Sequence, residues 1–549
     1  MGRTGRSIAT TVAALFMLAS CAGTGAGSGA ATDDRVDSTL VTRLRSHCTD
    51  VVSDDLGEGT LCVDTGFRTD TDQFSFPNWG RSPRADMNVS VQTLVDLFGH
   101  SAVCMPGPAN ECILRPRTQQ KLDEWNVAIG GGRCEGFAAL SQRMFLRYET
   151  PTDYSPTAVT ASQLERSNGR LAQSIAYWWA TQFVPEVERT ARESRRKSPL
   201  ALVDELIRGL ANGAGQTLGL YWAGTGHSVT PFAVTRRGND FVIHTYDNNQ
   251  PGVRAEIVVS GTTDTWSFRP GTVGNESAVV WSGGTGTLEL TPMAVRQGPF
   301  TCPFCNDPTP DEDTTITVAG QADAPPNRVM IDAGDAGTIE QTATGFTVGI
   351  KGATVSRAKA GATSAVTVTI PSTVRSLRLE LRHDHEQQSE SVVSVRRAGM
   401  ADIQVRNAWS TAPVGAARVT APLLTLTPDS TLISSHRADT VVSMAGATNL
   451  ASVTVARDDT LVVSAINDDS IDVSYKGTGG TSSRTIGLRP SAPVNTELVI
   501  SKGLLDFWSR ASTAQSVQPA RTTRSAPLPP PTPTTPPTTV PTIEVTLPG

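Results

Sequence analysis

The chain has 549 residues, 38% of them apolar, and a net charge of −6. That length normally carries two or three domains, each large enough for its own core, and the apolar share fits globular folds rather than disorder. The acidic balance leaves no nucleic-acid footprint, and the one dense basic cluster, Arg195-Arg196-Lys197, reads as a solvated helix end.

At the N-terminus, Arg3 and Arg6 precede an apolar stretch from Ile8 to Leu18 that is too short to cross a bilayer as a mature helix. It ends in Leu18-Ala19-Ser20-Cys21, so residues 1–21 resemble the bacterial lipoprotein signal. The resemblance implies that Cys21 is lipidated and becomes the first mature residue, anchoring the protein on the extracytoplasmic face of the bacterial membrane. Cleavage by an ordinary signal peptidase is the alternative. Residues 22–33, rich in Gly, Ala, Ser and Thr, read as a flexible tether.

Residues 34–307 read as an α+β domain. Beyond Cys134, the apolar residues Phe137, Leu140, Met144, Phe145 and Tyr148 keep helical spacing, which puts Cys134 at a helix N-terminus. Unpaired N–H groups and the positive end of the helix dipole favour a thiolate there. The glycines before Cys134 let backbone approach a substrate, and Gly136 is expected to keep bulk off the sulfur. Helical spacing recurs from Leu164 to Phe183 and from Val203 to Leu210, and the Trp178-Trp179 pair reads as core more readily than as a groove wall.

The stretch from Ser228 to Tyr246 then reads as strand, turn around Gly238-Asn239, and strand, with Pro231 marking an edge or a bulge. Folding about Gly238 puts His227 opposite Asn249, with Asp247 two positions along on the same face and Asn248 on the other. A nucleophile, an imidazole and a group that orients it make a triad, and Asp247 is the favoured third member because a carboxylate also stabilises an imidazolium. Each residue has a plainer reading: a buried packing cysteine or half a disulfide, a hydrogen-bonded histidine, a polar turn.

The eight cysteines sharpen the choice. With Cys21 and Cys134 set aside, the rest group by proximity as Cys48/Cys62, Cys104/Cys112 and Cys302/Cys305, although six cysteines allow fifteen pairings. Cys302-Pro303-Phe304-Cys305 spells C-x-x-C without a second pair, so a structural staple is expected rather than a zinc site. No metal and no cofactor is expected.

From Phe76 to about Phe268 the chain resembles the papain-like and transglutaminase-like cysteine hydrolases, in particular secreted bacterial proteins with a Gly-Gly-x-Cys-x-Gly nucleophile motif. The resemblance rests on Gly131 to Ala138, on Gly226-His227-Ser228-Val229, and on Tyr246 to Gly252. It implies a papain-like fold, with catalytic Cys134, His227 and Asp247, and Asn248 and Asn249 as possible orienting groups. Such enzymes carry an oxyanion-binding glutamine six residues before the nucleophile. That position is Ala128 here, and the nearest amide side chain is Asn126.

Residues 308–511 show short alternating apolar runs separated by Gly, Asp, Asn, Ser and Pro, the pattern of an antiparallel β-sandwich or two small β-domains. His383-Asp384-His385-Glu386 reads as a solvated loop. Residues 512–549, dominated by Pro and Thr from Pro529 to Pro541, read as a disordered tail. Two functions are compatible with this layout. One is an envelope-anchored thiol hydrolase acting on a peptide, protein or cell-wall substrate. The other is a non-catalytic papain-like scaffold with a β-domain for adhesion or envelope binding.

Overall fold

The computed structural model describes residues 36–523, apart from 52–55, 271–278, 321–327, 343–344, 360–364, 383–390, 407–422, 435–439, 457, 468–469, 478–479, 488–493, 502–503 and 522. The lipoprotein-like segment, the whole of the tether, the His383–Glu386 loop and the Pro/Thr-rich stretch lie outside the described residues.

The N-terminal half begins with α1 (Ser38–Ser46), β1 (Asp50–Val51) and β2 (Thr60–Asp64), followed by α2 (Val91–Phe98), α3 (His100–Val103), β3 (Glu111–Cys112) and α4 (Pro116–Ala128). Next come α5 (Cys134–Phe145), α6 (Gly169–Ala180), α7 (Pro185–Arg195) and α8 (Pro199–Ala211). The half ends in β4 (Gln216–Trp222), β5 (Thr225–Arg237), β6 (Asp240–Tyr246), β7 (Arg254–Val259), β8 (Trp266–Phe268), β9 (Trp281–Gly283) and β10 (Leu288–Pro292). Leu164 stays outside α6 because Asn168 caps that helix, accepting from the Leu171 N–H at 3.0 Å.

Strand β5 organises the nine-stranded sheet. One of its edges is shared: β4 covers Thr225 to Val229 and β2 covers Ala233 to Arg236, while β6 runs along the other edge. Pro231 falls between the two shared partners, at a shift in the β6 register, where a residue without an N–H is tolerated. The strand is therefore central and bulged rather than an edge. Helix α5 lies against it, with Thr230 Oγ1 3.3 Å from the Ala138 carbonyl and 2.9 Å from Ser141 Oγ.

Two expectations change here. Gly136 is required by helix packing: a Cβ at that position would lie 2.0 Å from the Ile175 carbonyl oxygen of α6, so the glycine serves close approach of α5 and α6 rather than space at the sulfur. Arg195 is not a solvated charge, because its guanidinium pairs with the fully buried Glu289, although Arg196 and Lys197 are exposed. Trp178 and Trp179 are wholly buried in the helical core, as their spacing predicts.

The second half is all-β. Two nine-stranded sheets run from Thr354–Arg357 to Leu504–Ala511 and from Phe346–Val348 to Gly480–Gly487. Every pairing is antiparallel except that of Asn449–Val455 with Val494–Ser501. The alternation that marks these strands in sequence is the alternation of burial: in Val366–Ile370, Val366, Val368 and Ile370 face inward. Strands from both sheets share one hydrophobic core that includes Ile316, Leu379, Val442 and Leu461, so the region is a single sandwich.

Three disulfides join Cys48–Cys62, Cys104–Cys112 and Cys302–Cys305, the pairs suggested by proximity. The chain after Ser512 does not leave the body at once, as its composition suggests. Gln515–Ser516 pairs with β3, and Arg521 reaches Glu149 at 2.6 Å and Ser174 at 2.9 Å. Val517 between them is buried in the hydrophobic core of the N-terminal half, so one apolar residue, a strand pairing and an ion pair hold a segment of otherwise polar composition. Among the described residues no helix is long and apolar enough to cross a membrane.

Replacing Gly136 by alanine should force α5 and α6 apart and destabilise the protein by about 1–3 kcal/mol. Gly284→Ala, where a Cβ meets nothing within 4 Å, should stay within about 0.5 kcal/mol of the parent. Denaturant midpoints of the two variants test the contrast.

Candidate active site

The turn that delivers the nucleophile is built from Ile129 to Arg133. Gly132 has φ +131°, a conformation open to glycine, and the chain enters α5 at Cys134. The Arg133 side chain is wholly buried, and among the described residues no carboxylate pairs with it. Its guanidinium donates to the carbonyls of Trp79, Met87 and Gly80 at 3.2, 2.6 and 2.8 Å, and lies over the Trp79 ring. Burial holds its pKa down to about 9, with the nearby Arg166 charge adding to the effect. The residue therefore pins the segment around residues 79–88 to the base of the nucleophile helix.

Cys134 is the free cysteine among the described residues and is fully buried. Its neighbour is His227, which stands on β5 and is also buried. His227 Nε2 lies 2.7 Å from Asp247 Oδ1, and the Cys134 sulfur is near enough to the same ring to favour its protonated form. Burial alone would lower the His227 pKa. The Asp247 charge and hydrogen bond override it and, with the Cys134 sulfur, push the group up to about 10. Asp247 in turn is held below the usual carboxylate range: burial opposes this, but the His227 charge and the hydrogen bonds from His227 and the Asn249 N–H, at 3.0 Å, prevail.

His227 and Asp247 meet across the hairpin, although next to the turn the ladder pairs Arg237 with Asp240, one residue out of step with a fold about Gly238, and only the shift between Pro231 and Ala233 restores the count. The ladder reaches Thr230 opposite Tyr246, and continuing that register sets His227 opposite Asn249. Of the three orienting candidates, Asp247 contacts the imidazole. Asn248 points to the other face, as alternation requires, and ties the two halves of the site together by donating to the Cys134 carbonyl at 3.2 Å and the Ser228 carbonyl at 2.8 Å. Asn249 accepts from Asn78 Nδ2 at 3.1 Å.

Asn126 is placed elsewhere. Its Nδ2 donates to the Val89 carbonyl at 3.0 Å, and it lines a cavity of 870 Å³ with Gly80, Asn88, Gly130 and Gln515, a wall that includes neither Cys134 nor His227. Beside Asn248, a second amide stands close to the candidate nucleophile: Asn78, which bonds the residue before it. Its Oδ1 accepts from the Arg133 N–H at 2.9 Å, and its own N–H donates to the Asn248 carbonyl at 2.7 Å. Sequence reading misses this residue because it lies far upstream of the motif and no local spacing marks it. The first turn of α5 supplies further donors, since the Cys134 and Glu135 N–H groups have no acceptor within their own helix.

Behind the nucleophile sits a buried charge cluster. Glu135, fully buried, pairs with Arg296 and lies 3.2 Å from Lys359 Nζ, while Thr217 Oγ1 donates to it at 3.1 Å. Lys359 also pairs with Glu289, which takes Arg195 and a 3.0 Å hydrogen bond from the Tyr221 hydroxyl. Burial is the largest influence and would raise both carboxyls, but it is outweighed by Lys359 acting together with Arg296 at Glu135 and with Arg195 at Glu289. Glu289 is held at about 2 and Glu135 below its usual range. Among the described residues no group of three or more His, Cys, Asp and Glu side chains is arranged to hold a metal ion.

No protein-family model matches the chain, and neither a curated protein nor a solved structure matches it.

The pair His227 and Asp247 has a pH signature. Because the folded His227 value of about 10 lies above the ordinary 6.5, its contribution to stability is complete below about pH 6.5 and disappears as pH rises through about 10. Asp247, being lowered, contributes above its ordinary 3.8 and loses this as pH falls through its folded value. Unfolding midpoints should therefore decline between pH 6.5 and 10 in the parent. Asp247→Asn should be less stable at neutral pH and show a flatter decline, measurable by denaturant titration at several pH values.

Proposed function

We propose that residues 34–307 form a papain-like cysteine hydrolase that cleaves an amide bond in a peptide, a protein or a cell-wall crosslink, on a chain anchored to the bacterial membrane through lipidated Cys21. The observation that carries this reading is a single buried imidazole held by Asp247 at 2.7 Å, with the free, buried thiol of Cys134 close enough to act on its charge. His227 accepts the thiol proton, the sulfur attacks the amide carbon, and the imidazolium returns the proton to the leaving amine. A water molecule then hydrolyses the thioester with His227 as base. Asp247 fixes the ring tautomer and stabilises the imidazolium throughout. The backbone N–H groups of Cys134 and Glu135, which have no acceptor within α5, are the donors offered to the developing oxyanion.

The complete burial of Cys134 favours a second reading, in which the same fold is a scaffold for a β-domain that binds the envelope. The two differ in the chemistry of the sulfur. Iodoacetamide treatment of the folded mature protein, followed by peptide mass spectrometry, should alkylate Cys134 while the six disulfide-bonded cysteines stay intact. His227→Ala should slow that labelling by tenfold or more at neutral pH. Labelling only after denaturation, or labelling indifferent to His227, would overturn the hydrolase reading in favour of the scaffold.

A further inference from the structure

We infer that the β-sandwich is a working part of the candidate active site rather than an appended module, and that Lys359 is the positioning residue through which it acts. The inference rests on the hydrolase reading and deepens it by naming what controls the nucleophile.

Lys359 follows the strand Thr354–Arg357 of the sandwich, yet its side chain is inside the N-terminal half and only 2% of the residue is exposed. Its backbone N–H donates to Gln182 Oε1 at 2.6 Å. The preceding Ala358 belongs to the hydrophobic core of the helical region, and its carbonyl oxygen would lie 3.0 Å from a Cβ on Gly226, the residue before His227. A Cβ on Gly219 of β4 would meet the Lys359 stem at 2.9 Å, so the sheet keeps a glycine where the lysine passes. The sandwich therefore touches the residues flanking both the nucleophile and the base.

Its charge is needed there. Glu135 adjoins Cys134 in the first turn of α5, and an unbalanced carboxylate at that point would oppose a negative sulfur. The groups around it are Glu289 from β10, Tyr221 from β4, Arg195 from α7, Arg296 from the turn Met293–Arg296, and Lys359 from the sandwich. With Tyr221 neutral, two carboxylates face three cations, so the cluster carries one net positive charge. Without Lys359 it carries none. The positive excess behind the nucleophile is thus supplied by the other half of the chain.

The test is the rate of iodoacetamide labelling of Cys134 across pH in the full mature chain. Lys359→Met should label about tenfold more slowly at neutral pH and reach the parent rate only at higher pH. Lys359→Arg should restore most of the rate. Glu289→Gln combined with Lys359→Met brings the cluster back to one net positive charge and should recover the rate too, a result that packing alone does not give. This double variant also keeps the test usable if the single methionine variant fails to fold, because it removes one carboxylate together with its cation. A parent-like rate and profile in folded Lys359→Met, or no recovery in the double variant, would overturn the inference. Absence of His227-dependent labelling in the parent itself would instead overturn the hydrolase reading on which it rests.

Discussion

A carboxylate buried without solvent, one residue from a candidate nucleophile, is the constraint around which this molecule is arranged. Taking Glu135 out of water costs several kcal/mol unless cations and donors replace the lost hydration. The fold answers from four directions, with Arg296, Lys359, Thr217 and the first turn of α5 itself. Glu289 is drawn in as the counterweight for the surplus cations. Helix α5 can therefore be seated only when β4, β10 and the sandwich loop are all in place. That demand fixes the relative position of Cys134 and the sheet carrying His227.

The convergence of Cys134, His227 and Asp247 then follows from two kinds of order. Sheet order is local: a turn at Gly238-Asn239 and the pleat of β5 and β6 bring His227 and Asp247 to the same end of the sheet. Helix placement is not local. It depends on the Gly136 contact with α6, on Asn248 reaching from the strand end to the Cys134 carbonyl, and on Asn78 joining the Arg133 N–H to the Asn249 side chain. Each tie uses a small or amide side chain whose role depends on a partner distant in sequence.

This division explains what was legible beforehand. Periodicities of 3.6 and 2 reveal α5, α8, the hairpin and the sandwich strands, because burial of one face is written at every turn or every second residue. Disulfide partners were legible because each lies within a short loop of its mate. Asn78 and Lys359 carried no such mark: a single asparagine and a single lysine acquire meaning only when the chain folds back on them. Gly136 was noticed for the right oddity and given the wrong cause, since a glycine required by a neighbouring helix looks in sequence like one required by a substrate. The segment after Ser512 was misread for a related reason. Its anchorage comes from backbone pairing with β3, the single buried Val517 and the Arg521–Glu149 ion pair, too little apolar sequence to make a pattern.

That anchorage makes the chain a closed circuit. The sandwich leaves the N-terminal half near the Cys302–Cys305 bridge and returns to it at Gln515, so both ends are tethered to the same body. A module strung on one linker can swing freely; one clamped at two points can move only by peeling one of them away. Arg521 is the outermost clasp, sharing Glu149 with Arg143. Any lifting of the sandwich must therefore break this clasp or strain against it, as well as withdraw Lys359 from Glu135 and Glu289.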